Sequence, residues 1–212
     1  MNETLKRAIS GLFYVIIMWC GASYSQLSFT ILFTTIGIFC TYEIWKLRKG
    51  RKKTIAFIYI LTPFILIQFI STNQVIWNPN LILFILLLTW TFDTFAYLIG
   101  VRFGKHKIKE SISPKKSWEG FLGGFIFTII TAYLSHSYFK FETIEKIVII
   151  SIILPFTATL GDFIVSYYKR QAKVKDSGNI IPGHGGILDR MDAFTITIPT
   201  IYIIVKILNE TT

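Results

Sequence analysis

The sequence predicts an all-α integral membrane protein with about seven transmembrane helices. Three observations lead to this class: 52% of the 212 residues are hydrophobic, only 16% are charged, and the apolar residues form long blocks. A soluble domain carries about 25% charged residues, and a helix crosses a bilayer core with about 20 apolar residues. We therefore expect a single polytopic membrane domain over residues 1–212.

Apolar blocks of the required length occur seven times, separated by polar connections. We predict spans at residues 8–25, 27–45, 54–71, 80–101, 118–137, 146–168 and 192–209. The first block follows Lys6 and Arg7, as the apolar part of a signal peptide would. No small-x-small cleavage site or lipobox follows it, because Trp19 stands before Cys20. We expect the first block to be a retained helix.

The formal net charge of +10 raises the question of nucleic-acid binding. A nucleic-acid-binding protein spreads its basic residues over a soluble face or arm, whereas here they form clusters between apolar blocks. Of the 22 lysines and arginines, 19 lie in the N-terminus and in the second, fourth and sixth connections. The positive-inside rule then predicts a cytoplasmic N-terminus and an outside C-terminus. We expect a multi-pass protein of the inner (cytoplasmic) membrane, with its active site facing the cytoplasm and no nucleic-acid partner.

Two carboxylates lie inside predicted spans, Asp93 in the fourth and Asp162 in the sixth. A charged aspartate in the membrane costs roughly 3 kcal/mol, so such an acid is a candidate functional residue. The structural alternative is an ion pair or a protonated, hydrogen-bonded acid. At about 1.5 Å per residue, both acids lie roughly 10–12 Å below the cytoplasmic boundary. Two acids at one depth on different helices can share a cation.

The sixth span carries polar side chains along one helical face. In order, they are Asp162, Ser166, Lys169 and Arg170. Spacings of four, seven and eight residues place side chains on one stripe of a helix. An acid, a hydroxyl and two cations would suit a metal bound to phosphate. Snorkelling of the two cations to the interface is the alternative.

The segment 175–192, KDSGNIIPGHGGILDRMD, combines glycines with two aspartates. Glycines such as Gly185 and Gly186 let backbone amides approach phosphates closely, although no Walker loop or GxGxxG motif is present. Asp189 and Asp192 are three residues apart, so we expect them to share a face at the start of the last span. Carboxylate oxygens are preferred ligands of Mg²⁺, which also bridges substrate phosphates.

The other long connection, 102–120, ends in SPKKSWEG. It offers hydroxyls and cations beside the fifth span, at Ser113, Lys115, Lys116 and Ser117. Positive-inside charge explains these lysines about as well as phosphate binding does. His106 and His136 are interpreted as incidental rather than as ligands.

At these residues the sequence resembles the phosphatidate cytidylyltransferase (CDP-diacylglycerol synthase) family. The family's C-terminal signature is matched without a gap by Ser166, Lys169, Arg170, Lys175, Asp176, Pro182, His184, Gly185, Gly186, Asp189, Arg190 and Asp192. The resemblance is close over residues 81–212, the expected catalytic helices and loops, and loose over residues 1–80. Two departures are Tyr168, where the family usually has an aliphatic residue, and a shorter N-terminal half.

The resemblance implies the reaction of CTP with phosphatidic acid to give CDP-diacylglycerol and pyrophosphate for phospholipid biosynthesis. It implies Mg²⁺, with a second cation left open, held by Asp162, Asp189, Asp192 and Asp93. The implied catalytic residues are Asp162, Asp189, Asp192, Lys169, Arg190 and His184. The implied substrate-binding residues are Ser166, Arg170, Lys175, Asp176, Gly185, Gly186, Ser113, Lys116 and Ser117. Because phosphatidate already carries a nucleophilic oxygen, His184 would orient the loop rather than move protons.

Two other functions compete with this one. A CTP-dependent transferase acting on an isoprenoid or ether lipid would have a similar motif and a different lipid-facing surface. A transporter would use intramembrane acids to line its pathway, and transporters often show inverted repeats. No repeat is visible in this sequence, and its acids lie near one face of the membrane. A homodimer is compatible with the sequence.

Overall fold

The computed structural model describes residues 3–72, 77–139, 144–180 and 185–210. Within these ranges the chain is helical and contains no strand, only an isolated bridge between Lys107 and Ser117. The helices are α1 Glu3–Ser23, α2 Gln26–Leu47, α3 Thr54–Thr72, α4 Asn80–Phe103, α5 Trp118–Phe139, α6 Ile144–Gln171, α7 Leu188–Met191 and α8 Phe194–Glu210.

Six segments of the described chain are long and apolar enough to cross a membrane: α2 to α6, and Leu188–Leu208, which joins α7 to α8. The all-α membrane class is thus confirmed. The apolar part of α1, Ile9–Ser23, is shorter than the other six. The predicted spans 54–71 and 118–137 lie within two residues of α3 and α5, because the length of an apolar run sets the length of its helix.

The outer surface of the bundle is strongly apolar. Leu27, Ile55 and Leu134 are 70%, 73% and 74% exposed on three different helices. Soluble monomers rarely expose large contiguous apolar surface, whereas lipid accommodates it. The exposed apolar side chains therefore face the bilayer.

The helices α2, α4 and α6 all end at one end of the bundle, which we call the loop end. Two arginines of the α2–α3 connection, Arg48 and Arg51, donate to Gln171 Oε1 at 2.6 and 2.9 Å. Arg170 Nε donates to the carbonyl of Ile112, between α4 and α5, at 3.3 Å. Three basic connections that are far apart in the sequence therefore meet at the loop end.

The helices α4 and α5 pack closely because glycines face the interface. A Cβ on Gly120 would collide with the Ala96 carbonyl and the Gly100 Cα. Small residues let membrane helices approach with little space between their backbones. This close contact fixes the two ends of the connection between α4 and α5.

Candidate active site

The connection between α4 and α5 folds back on itself. Ile108 N donates to the Lys116 carbonyl at 3.2 Å, and Trp118 N donates to the His106 carbonyl at 2.9 Å. These two bonds form a short antiparallel turn at the loop end. Lys116 is thereby returned to the bundle, where it faces α6.

Two side chains at the start of α5 hold this connection in place. Glu119 accepts from the backbone N–H of Lys105 at 3.1 Å, and His106 Nδ1 lies 2.6 Å from its Oε1. Ser117 Oγ accepts from Gly120 N at 3.2 Å and so caps the helix. His106 thus has a structural contact, and Ser117, predicted to bind substrate, also serves as a cap.

Lys116 forms an ion pair inside the bundle. Its Nζ lies 2.5 Å from Asp162 Oδ2, and the two side chains are only 30% and 19% exposed. Burial lowers the pKa of Lys116, but the adjacent Asp162 carboxylate outweighs burial, so the pKa is raised from its ordinary value. Lys116 therefore remains charged at physiological pH. Ser166 Oγ donates to Asp162 Oδ1 at 3.5 Å, as the predicted stripe on α6 requires.

Asp162 is also paired with a second aspartate. Its carboxyl is hydrogen-bonded to that of Asp192, which follows α7. The backbones approach because Gly161 has no side chain: a Cβ there would collide with the Asp192 carbonyl. Asp93 acts electrostatically on both acids from α4. Carboxylates this close repel each other unless a proton or a cation lies between them.

Asp189 faces a different set of groups. It lies 2.7 Å from Lys169 Nζ, and it accepts from Ser177 N at 2.8 Å and Gly186 N at 3.0 Å. Asp192, three residues further on, has helical backbone angles, as the expected shared face requires. The two acids nevertheless contact different partners, Asp189 contacting Lys169 and Asp192 contacting Asp162. In the described ranges no three or more acidic, His or Cys side chains form a metal-binding group. The ligand role of Asp189 stays a prediction.

Glu43 on α2 is a buried acid that sequence reasoning missed. It is 2% exposed. It accepts from Ile187 N at 3.0 Å, Leu188 N at 2.9 Å and Ser177 Oγ at 2.6 Å. Two of these donors are N–H groups at the start of α7 that have no partner within the helix, and the Glu43 carboxylate accepts from both. An acidic residue inside a membrane span is a sequence signal of function, and Glu43 lies within the predicted span 27–45. Glu43 belongs, however, to the part of the chain that resembles the family only loosely.

The glycines before α7 leave room for these carboxylates. Gly185 has a φ of +82°, a conformation that favours glycine. A Cβ on Gly186 would collide with Ser177 and Glu43. The amide of Gly186 donates to Asp189, and the predicted contact of Gly186 with a phosphate stays a prediction. Pro182, Gly183 and His184 lie outside the described residues, and so does the orienting role predicted for His184.

A cavity of about 780 Å³ lies between the two long connections, a volume within the range of small-molecule sites. It brings together most of the predicted residues. Those that line it are Asp93, Ser113, Lys116, Ser117, Asp162, Ser166, Lys169, Arg170, Lys175, Asp176 and Arg190. Asp189, Asp192, Gly185 and Gly186 do not line it; they lie in the layer that supports its wall.

Seven of the lining residues are lysines or arginines, and two of them, Lys116 and Lys169, reach into the bundle beside Asp162. Such a set suits a ligand with several phosphates, because guanidinium and ammonium groups bind phosphate oxygens with charge-assisted hydrogen bonds. These helices and this cavity have the features expected of a polytopic membrane enzyme that acts on a phosphate-bearing substrate.

The chain belongs to the cytidylyltransferase family, whose model matches residues 55–208. It is 39% identical over 159 residues to a phosphatidate cytidylyltransferase of Rickettsia bellii, covering 71% of this chain and 67% of that protein. It is 45% identical over 124 residues to one of Staphylococcus saprophyticus, covering 58% of this chain and 48% of that protein. It is 34% identical over 206 residues to a phosphatidate cytidylyltransferase of Rickettsia typhi, covering 92% of this chain and 89% of that protein. The chain therefore spans between half and nine tenths of these relatives.

Replacing Glu43 by alanine is expected to lower turnover roughly 10-fold to 100-fold. The change leaves two backbone N–H groups and a hydroxyl buried without their acceptor, at a cost of about 1–3 kcal/mol. The segment before α7 should then be cleaved more readily by protease. Glu43→Gln keeps one acceptor, so its turnover and its protease sensitivity should lie between those of the wild-type protein and Glu43→Ala. Glu145→Ala, which removes an exposed acid at the start of α6, is the matched control. Unchanged turnover and unchanged proteolysis in Glu43→Ala would contradict the positioning role.

Proposed function

We propose that the chain transfers the cytidylyl group of CTP to phosphatidate, forming CDP-diacylglycerol and pyrophosphate. The observation that carries the proposal is the 780 Å³ cavity with its seven cations, which lies next to membrane-embedded acids. The names of the relatives support the same reaction. A nucleotide with three phosphates and a lipid with one need a site of this charge.

In the proposed reaction, an oxygen of the lipid phosphate attacks the α-phosphorus of CTP. A new P–O bond forms, the bond from the α-phosphorus to the oxygen bridging to the β-phosphorus breaks, and pyrophosphate leaves. The protein contributes mainly position and charge neutralisation. Lys169 and Lys116 are fixed by their ion pairs with Asp189 and Asp162. Arg170 is fixed by two backbone carbonyls.

The acidic residues fit a divalent cation. Mg²⁺ is bound through one or two carboxylates together with substrate phosphates, and the hydrogen-bonded pair Asp162–Asp192 offers two carboxylates beside the cavity. Asp93 is exposed to the same cavity and could complete the set. When bound there, Mg²⁺ would neutralise charge on the triphosphate.

The assay uses purified protein, radiolabelled CTP and Mg²⁺, with phosphatidate, an isoprenoid alcohol or no lipid. We expect a lipid-soluble labelled product, with release of pyrophosphate, only when phosphatidate is present. Equal or faster labelling of the isoprenoid alcohol would contradict the proposed substrate. Heat-denatured protein in the same detergent is the control for labelling without enzyme.

We further propose that the loop end faces the cytoplasm, in the inner membrane, with the C-terminus outside. The split of 19 basic residues to three supports this orientation. Ile180, 42% exposed at the loop end, offers a labelling position. In a protein whose native cysteines are replaced, Ile180→Cys should react with an impermeant thiol reagent only after the cells are opened. Reaction in intact cells would reverse the orientation.

A further inference from the structure

A second, smaller cavity lies between α1 and α4 and has a volume of about 320 Å³. Its walls include Tyr14 and Val15 on α1 and Thr94 on α4. Asp93 and Arg190 line this cavity as well as the 780 Å³ cavity. The two cavities therefore meet at one acid and one guanidinium.

The α1–α4 cavity is polar at its inner side and apolar outside. At the inner side, the Tyr14 hydroxyl donates to the carbonyl of Arg190 at 3.5 Å. The ring of Tyr14 packs edge-on against Trp90, with centroids 6.3 Å apart. On the outer side, the apolar side chain of Val15 is 37% exposed. This gradient suits an amphipathic molecule whose charged group points inward.

The position of the cavity along the bundle also favours a molecule from the membrane. Asp93 lies ten residues before the end of α4, about 15 Å from the loop end at 1.5 Å per residue. A polyanionic nucleotide can reach this depth through the large cavity, which opens between the loops and is lined by cations. A lipid can reach it sideways, with its chains kept in hydrocarbon.

We propose that the α1–α4 cavity is the site at which phosphatidate binds. Its phosphate contacts Arg190, and its glycerol and acyl chains pass between α1 and α4 into the bilayer. A guanidinium binds a phosphate monoester through two parallel N–H bonds. The assignment rests on the proposed function, since it gives the lipid substrate of that reaction its own access route. The attacking lipid oxygen and the α-phosphorus of CTP then meet at the wall that both cavities share.

The test fills the cavity from each of its two helices. Val15→Trp and Thr94→Trp each are expected to raise KM for phosphatidate tenfold or more and to leave equilibrium binding of labelled CTP within about twofold. Ile17→Trp is the matched control, because Ile17 is on the same helix, is 56% exposed and does not line the cavity. A photoreactive phosphatidate, applied without CTP, should label α1 and α4 of the wild-type protein and label both cavity variants less.

The outcomes are separable. If both cavity variants keep the wild-type KM for phosphatidate and the wild-type labelling, the lipid binds elsewhere and the assignment is overturned. If the two variants lose CTP binding together with lipid use, the cavity is not specific for the lipid, and the assignment is again overturned. Failure of the proposed function is recognised earlier, as a wild-type protein that forms no product from phosphatidate.

Discussion

Replacing Asp162 by asparagine should lower CTP-dependent turnover by at least 10²–10³-fold, the loss expected when a preorganised charge is removed from an active site. Asparagine keeps the size of the side chain but removes its charge. Asp162 contacts Lys116, Ser166 and the carboxyl of Asp192. Its charge therefore fixes one lysine and supplies half of the carboxylate pair that we propose for Mg²⁺.

Two further measurements separate these roles of Asp162. If it acts through the cation, the surviving activity of Asp162→Asn should need more Mg²⁺ for its half-maximal rate. If it acts only by holding Lys116, then Lys116→Met should lose as much activity and keep the wild-type Mg²⁺ dependence. Glu110→Gln removes an exposed acid from the α4–α5 connection without changing its size and should alter turnover less than twofold. Near-normal turnover of a folded Asp162→Asn protein would contradict any essential role.

Replacing Arg190 by alanine is expected to have the second largest effect, a loss on the order of 10²–10³ in rate, or roughly 3–4 kcal/mol of transition-state stabilisation. Arg190 lines both cavities and acts electrostatically on Asp93. Without the Arg190 guanidinium, the phosphates of the lipid and of CTP would be repelled by the nearby carboxylates, and no positive charge at this position would offset the repulsion. The measurement is turnover in one detergent, with the amount of folded protein matched between variants.

The matched control for Arg190 is Lys49, an exposed cation of the α2–α3 connection. Lys49→Ala should change turnover less than about threefold, since an exposed charge contributes under about 1 kcal/mol. Similar losses in the two variants would mean that basic residues act through topology or lipid attraction. The role of Arg190 at the junction of the two cavities would then be wrong.

The helices could be predicted because the bilayer imposes a length on each apolar run. The predicted stripe on α6 is also confirmed in its geometry, since Asp162 and Ser166 are hydrogen-bonded and both line the cavity with Lys169. Within one helix, spacing alone determines which side chains are neighbours. Such local features are therefore readable from the sequence.

Contacts between distant segments could not be predicted in the same way. The pairing of Lys169 with Asp189 and of Lys116 with Asp162 depends on how three separate segments pack. Spacing predicts that Asp189 and Asp192 share a face, but it does not identify the partners that each finds on other segments. Asp189 contacts Lys169, whereas Asp192 contacts Asp162.

The role of Glu43 has a consequence for the biogenesis of the enzyme. Its donors, Ser177, Ile187 and Leu188, lie 134 to 145 residues further along the chain. During synthesis, α2 is therefore in the membrane long before the segment that it orders leaves the ribosome. A fragment that starts at residue 81 would contain the C-terminal signature motif, but it would lack the Glu43 carboxylate that accepts hydrogen bonds from this segment. The N-terminal helices thus position the later segment, and the cavity acquires its final shape only after the last helix has packed beside them.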